Sequence, residues 1–186
     1  MLNSEDKTPQ RSTDRQPESP VGNSHLIVEF KKVSQVAIVV RNLRSSMKRY
    51  WEELGVGPWK VWAFGPNNLA DMTLHGKPGD YSFKVGMAYV GDVSIELIEP
   101  LQGESIFREF LDKKGEGIHH LKCSSQDAER IVEQFKKNGG EVLQSAKIGD
   151  ASFHYLDTES KLGFILELAT GRALRDRPPD EVYPPQ

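Results

Sequence analysis

The chain has 186 residues, of which 37% are hydrophobic and 27% charged, and its formal net charge is −3. This length and composition suit one ordinary domain, or two small similar modules, with a real hydrophobic core. Nucleic-acid and anionic-membrane binders need concentrated positive charge, so we expect neither kind of partner.

The single cysteine, Cys123, cannot form an internal disulfide, which fits a reducing compartment. The N-terminal residues have no apolar core of the signal-peptide kind, and no stretch is long enough to span a bilayer. We therefore expect a cytoplasmic protein.

Composition divides the chain into three parts. Residues 1–25 are rich in Ser, Pro and charge and predict a disordered arm, because ordering them would bury little apolar surface. Residues 172–186 form a Pro-rich tail that we expect to lie outside the fold in the same way. A single folded domain over 26–171 remains.

The first half of this domain reads as strand, helix and strands. "VSQVAIVV" (33–40) predicts a strand, and "NLRSSMKRYWEELG" (42–55) predicts a helix with Asn42 as its N-cap and Gly55 at its end. After a segment punctuated by Gly and Pro, "YSFKVGMAYV" and "DVSIELIEP" predict a hairpin that turns at Gly91 and Asp92.

The second half repeats this order. "GIHHLKCS" predicts a strand, "SQDAERIVEQFKKNGG" a helix, and "ASFHYLDT" and "KLGFILELAT" two further strands. The chain therefore contains an internal duplication, with one module at about 30–101 and another at about 115–171. The first module is longer by about 14 residues, which we assign to its aromatic segment between the helix and the hairpin.

Strand parity divides the polar residues of these strands into two sets, because successive side chains point to opposite faces. One face of each strand is apolar and is predicted to meet the helices. The opposite face carries Gln35, Glu96, His120 and Glu167 at corresponding positions of the two modules, whereas His119 has the parity of the apolar set. Any one of these polar residues alone would usually be an exposed surface residue.

All four would converge if the modules pair edge to edge and curve. Such an oxygen-rich set with one imidazole suits one divalent metal ion, and Zn, Co, Ni, Mn and Fe are all permitted. Two glutamates on an inner face are costly unless they are paired or coordinated, which favours a ligand role.

The phrases "QVAIVVRNLRSSMKRYWEELG", "VGDVSIELIEPL", "GEGIHHLKC" and "GFILELATG" resemble the blocks of methylmalonyl-CoA epimerases in the vicinal oxygen chelate superfamily, from about Val33 to Gly171. The resemblance implies an α+β fold in which two paired βαβββ modules form a cupped mixed sheet, glyoxalase-like, with helices outside and a divalent metal in the cup. The order Gln35, Glu96, His120, Glu167 is instead similar to the zinc set of eukaryotic-type glyoxalase I.

Both relatives remove a proton from a carbon next to a carbonyl. We therefore expect a metal-dependent epimerase or racemase, acting on an acyl-CoA thioester or an aromatic ketone such as an isoflavanone, with Glu96 and Glu167 as the catalytic carboxylates. A lactoylglutathione lyase of the glyoxalase I type and a non-catalytic small-molecule-binding protein of the same fold remain as alternatives. We also expect a homodimer.

Other residues are weaker candidates. Asp80 lies near the place where the epimerases have a second carboxylate base. Trp59, Trp62 and Phe64, together with Tyr81, could wall a substrate pocket, although such aromatic residues are more often core. His154 could line the same cup or lie on the surface.

Overall fold

The structure, a computed structural model, describes residues 32–171 and 177–185, so the predicted arm over 1–25 lies outside the described residues. Within these ranges no helix is both long and apolar enough to cross a membrane. The helices and strands follow in chain order: β1 (Gln35–Val39), α1 (Leu43–Leu54), β2 (Trp59–Phe64), β3 (Ala70–Leu74), β4 (Lys77–Pro78), β5 (Phe83–Val90), β6 (Val93–Pro100), α2 (Ile106–Lys114), β7 (Gly117–Ser124), α3 (Ala128–Lys137), β8 (Val142–Ile148), β9 (Ala151–Leu156), α4 (Glu159–Leu162), β10 (Ile165–Ala169) and β11 (Glu181–Tyr183).

The described strands form one mixed sheet, in the order β11-β2-β5-β6-β1-β7-β10-β9-β8-β3-β4. At its centre β1 and β7, the first strands of the two modules, pair antiparallel. Each of them also pairs in parallel with the last strand of its own module, β6 or β10. The predicted α+β fold with a mixed sheet is therefore confirmed, and the two modules meet through their first strands.

The sheet curls because its two ends are joined by a short connection. β2 and β3 lie near opposite ends of the strand order, yet only residues 65–69 separate them along the chain. So few residues span about 20 Å at most. The aromatic segment that lengthens the first module thus carries β2 at one end of the sheet and places β3 against β8 of the second module, with β4 beyond β3 at the edge.

The helices α1 and α3 cover the outer face of the sheet, as predicted. The Asn42 side chain accepts a hydrogen bond from the Ser45 backbone N–H and so caps α1, and Gly55 ends it with a φ of 66°. Met47 of α1 packs with Leu97 of β6 in one cluster. α3 packs with the apolar face of β10 in another.

The helix α2 was not predicted, and it packs into the inner face of the cup. Ser105 caps its start, and Phe107 and Leu111 are buried among inner residues such as Phe83 and Tyr155. Its nine residues are too few to show a clear helical period in the sequence.

The C-terminal tail contradicts the prediction that it lies outside the fold. Glu181–Tyr183 forms β11, which pairs antiparallel with β2 and extends the sheet by an edge strand. The Trp62 indole N–H also donates to the carbonyl oxygens of Arg177 and Pro178. An edge strand tolerates the neighbouring prolines, because one of its sides needs no ladder hydrogen bonds.

Leu111→Ala should test how far α2 stabilises the cup. Leu111 is 3% exposed, so its truncation should cost about 2–5 kcal/mol of unfolding free energy. The measurement is urea unfolding, with Lys113→Ala on the exposed side of α2 as the matched control. A loss below about 0.5 kcal/mol, the usual size of a surface change, would show that α2 contributes little to the core.

Candidate functional site

A cavity of about 500 Å³ opens on the inner face of the curled sheet. This volume lies within the range of small-molecule sites. Apolar and aromatic side chains of β2, β5 and β9 form much of its wall, and a group of polar side chains from the central strands lines it as well. That group includes Gln35, Glu96, Lys122 and Glu167. His120 has no exposed surface and lies beneath these groups.

The strand register explains why these side chains meet. Two adjacent rows cross the four central strands β6, β1, β7 and β10. One row reads Ser94, Gln35, Lys122, Glu167, and the other reads Glu96, Ala37, His120, Ile165. The two modules have the same arrangement. Glu96 pairs with Ala37, two positions after Gln35, and Glu167 pairs with Lys122, two positions after His120.

The structure brings the four predicted ligand residues into contact. The Gln35 amide nitrogen donates to Glu96 Oε2 over 2.8 Å. His120 Nε2 lies 3.0 Å from Glu167 Oε2 and 3.7 Å from Glu96 Oε2. The two carboxylates therefore reach His120 from opposite sides of the β1–β7 pair.

Burial and neighbouring charge give the carboxyl groups of Glu96 and Glu167 different pKa values. Burial and the charge of Glu167 raise the pKa of Glu96 to about 8, although Lys122 opposes this shift. Burial also acts to raise the pKa of Glu167, but the Lys122 ammonium and the nearby His120 ring outweigh it and hold that pKa at about 2. Near neutral pH one carboxyl is thus mostly protonated and the other ionised.

Lys122 is a member of this site that the sequence analysis missed. Its Nζ lies 3.3 Å from Glu167 Oε1, and its side chain is 22% exposed. Burial acts to lower its pKa, but Glu167 and Glu96 outweigh burial and raise it. The sequence contained the information needed to find Lys122, because its strand parity is that of His120 and places both residues on the same face of the sheet.

The donor set fits a divalent ion in its chemistry. His120 Nε2 and Glu167 Oε2 are both buried and have no hydrogen-bond partner among the described residues, although they face each other. An imidazole nitrogen and a carboxylate oxygen left unpaired side by side, 3.0 Å apart, are the donor types that a divalent ion would take.

The donors are nevertheless held by one another and by Lys122. Glu96 accepts the Gln35 amide N–H, and Glu167 Oε1 lies against Lys122. In the described ranges no group of three or more His, Cys, Asp and Glu side chains has the arrangement of a metal cluster. An ion would have to replace these internal contacts.

His119 lies beside His120 at an irregularity in the β1–β7 pairing, next to α2 and not on the outer face that its parity predicted. The two Nδ1 atoms are 2.9 Å apart, and His119 is 1% exposed. Burial and the neighbouring His120 hold the pKa of His119 well below its usual value. The ring packs edge-on against Phe107 and Phe110. His119 therefore contacts the candidate ligand and not the cavity.

The weaker candidates mostly lie elsewhere. Phe64 lines the cavity, but Trp59 is buried in the outer cluster with α1, and Trp62 is buried in the inner cluster without reaching the cavity wall. Asp80 is exposed and lines a separate pocket beyond Phe64. Tyr81 lines that second pocket too.

His154 also lies outside the cavity wall. Its Nε2 is 3.2 Å from both Glu129 Oε1 and Ser152 Oγ. The ring therefore faces α3, because strand parity places it opposite Phe153 and Tyr155, which do line the cavity.

Comparison with known proteins identifies the family profile that this chain matches. Residues 34–156 match the profile of the glyoxalase/bleomycin resistance protein/dioxygenase superfamily. An uncharacterized protein of Bacillus subtilis, YqjC, is 40% identical over 57 residues, which cover 27% of this chain and 41% of that relative. The chain thus matches less than half the length of that relative.

Solved structures share the fold at low sequence identity. A hypothetical protein from Bacillus halodurans superposes with a TM-score of 0.58 at 24% identity, over 76% of this chain and 94% of that one. Methylmalonyl-CoA epimerase from Mycobacterium tuberculosis gives 0.58 at 20% identity, over 84% and 100%. A variant of the Streptomyces coelicolor epimerase in complex with 2-nitronate-propionyl-CoA gives 0.58 at 19%, over 76% and 97%.

Proposed function

Since the chain belongs to the glyoxalase/bleomycin resistance protein/dioxygenase superfamily, we propose that it is an epimerase or racemase that moves a proton at the carbon α to a carbonyl. The observation that carries this proposal is the pair of buried carboxyl groups, Glu96 and Glu167, on opposite sides of His120. Two carboxyl groups with pKa values pushed apart are a typical arrangement for one acid and one base.

The two carboxyl groups divide the proton transfers between them. Glu167, ionised, takes the proton from one face of the α carbon, and Glu96, protonated, returns one to the other face. The enolate formed between these steps is planar at the α carbon, so protonation on the other face inverts the configuration. Because the cavity wall includes Phe64, Phe83 and Tyr155, it excludes water from much of the reacting centre.

The metal ion of this proposal would be held by four residues, Gln35, Glu96, His120 and Glu167, of which Glu96 would coordinate only in its ionised form. When bound, a divalent ion supplies Lewis-acid polarisation of the substrate oxygen. Gln35 would have to present its amide oxygen, which now accepts the Ser94 hydroxyl over 3.3 Å. A turn of the amide group about its last bond exchanges the two atoms.

The substrate class that we propose is an acyl-CoA thioester or an aromatic ketone such as an isoflavanone. The cavity volume of about 500 Å³ and its aromatic lining suit the reacting part of either compound. A lactoylglutathione lyase is the second candidate, because the order Gln35, Glu96, His120, Glu167 resembles the zinc set of glyoxalase I.

The experiment that separates these functions follows deuterium exchange at the α carbon. The metal-loaded protein is incubated in deuterated water with methylmalonyl-CoA, an isoflavanone, or methylglyoxal with glutathione. An epimerase should incorporate deuterium into one of the first two without glutathione, whereas a lyase should act on the glutathione adduct alone. Exchange in none of them would contradict the proposal and favour a non-catalytic binding protein.

His120→Ala and His119→Ala should differ in metal binding. His120→Ala removes a proposed ligand, so stoichiometric Zn²⁺ binding should be lost. His119→Ala removes only a side chain that contacts this ligand, so the affinity for Zn²⁺ should fall by about 10–100-fold. Competition with a chromophoric chelator measures both. If His119→Ala loses Zn²⁺ binding and His120→Ala retains it, the register of β7 is wrong by one residue.

A further inference from the structure

The duplication places Lys122 where the first module has Ala37. Ala37 pairs with Glu96, and Lys122 pairs with Glu167, so the two residues correspond. Ala37 lies between Glu96 and His120 in its row, and Lys122 lies between Glu167 and Gln35 in the other row. The small Ala37 leaves room between Glu96 and His120, whereas the Lys122 side chain extends from the equivalent point into the cavity.

No structural requirement of the sheet accounts for a lysine at this point. Ala37 is fully buried at the equivalent position, so the fold accepts a methyl group there. A charged group in such a place is costly unless it is paired, and the pairing contact that the structure gives is with Glu167 at 3.3 Å. The Lys122 side chain is 22% exposed and lines the cavity.

We propose that Lys122 is a catalytic residue that donates a hydrogen bond to the substrate oxygen on which enolate charge develops. This inference rests on the proposed function and adds to it a cationic side chain of the protein, beside the proposed metal ion. Lys122 is the cationic side chain next to Glu167 among the cavity-lining residues, and an ammonium has three donors, of which the contact with Glu167 uses one.

The step balances without any further reactant. The α C–H bond breaks, its proton passes to the Glu167 carboxylate, and its electron pair forms the C=C bond of the enolate. The carbonyl π electrons move to oxygen, and the ammonium of Lys122 stabilises this oxyanion by a charge-assisted hydrogen bond. The enolate then takes a proton on its other face from the Glu96 carboxyl, and the C=O bond re-forms.

Lys122→Met tests the proposal, because methionine keeps most of the length and removes the charge. The probe is whichever compound the wild type exchanges in deuterated water, used with metal-loaded protein and with protein freed of metal by a chelator. In the loaded variant, exchange should fall by about 10²–10³-fold, the usual loss for one oxyanion donor. The metal-free wild type should keep measurable exchange, and the metal-free variant should have none.

The Zn²⁺ affinity of the variant provides an independent measurement. Removing the ammonium beside Glu167 should leave Zn²⁺ binding at least as tight as in the wild type, because like charge is removed. If exchange falls and Zn²⁺ binding is lost with it, Lys122 has only a structural role and the proposal is overturned.

Two further outcomes are distinguishable. If the wild type exchanges a probe and loaded Lys122→Met does so at the same rate, the inference on Lys122 fails and the proposed function stands. If the metal-loaded wild type exchanges none of the probes, the proposed function fails and the inference fails with it.

Discussion

Glu167→Gln is expected to retain Zn²⁺ while proton exchange at the α carbon falls by about 10²–10⁴-fold. The amide has nearly the size of the carboxylate and keeps an oxygen ligand, but it cannot accept the substrate proton. In the structure this carboxylate is 3% exposed and lies between His120 and Lys122, so no solvent base replaces it. Deuterium incorporation by the metal-loaded variant measures the loss.

Glu133→Gln, an exposed change on α3, is the matched control and should exchange like the wild type. Loss of exchange together with loss of Zn²⁺ would show that Glu167 acts mainly as a ligand. Exchange at the wild-type rate with Zn²⁺ retained would contradict its role as the base.

Glu96→Gln should separate exchange from inversion. Burial and the charge of Glu167 raise the pKa of Glu96 to about 8, so a neutral amide replaces a group that is largely neutral at pH 7. The variant should fold normally, and Glu167 should still exchange the proton on its own face. Inversion should fall by about 10² or more, because no group then delivers a proton to the other face.

Chiral separation of the product, run beside deuterium incorporation on the same samples, measures the two rates. Full racemase activity in Glu96→Gln would mean that Glu96 is only a ligand and that another residue is the second base. Asp80 was the sequence candidate for that role, but it lines a pocket on the far side of Phe64. It would need to reach the substrate from outside the main cavity.

The composition of the inner face could be predicted from the sequence because side chains alternate along a strand. Parity and the duplication identified Gln35, Glu96, His120 and Glu167 as corresponding positions on this face, whereas alternation could not predict the irregularity of β7 at His119. The structure brings these four residues together, and the resemblance to the superfamily is confirmed by the match over residues 34–156. Their roles in binding and catalysis stay predictions.

Lys122 was missed although its parity was known. The comparison of modules looked for polar residues at corresponding positions, and the position that corresponds to Lys122 is held by Ala37. Trp59 and Trp62 could not be assigned to the wall or to the core for a different reason. The strands of their segment could not be delimited, so the parity of Trp59 and Trp62 relative to the cavity was unknown, and both are buried in the core.

The sequence by itself determined the first strand, the outer helix and the last two strands of each module, the apolar face that meets the outer helices, and the positions of Gln35, Glu96, His120 and Glu167 on the inner face. These features depend on local periodicity, which a single chain displays directly. The tertiary structure alone decided the register of β1 against β7, the packing of α2 into the cup, and the addition of β11 to β2. Such contacts join residues distant along the chain, and their free energy depends on the burial and hydrogen bonding that only the assembled sheet creates.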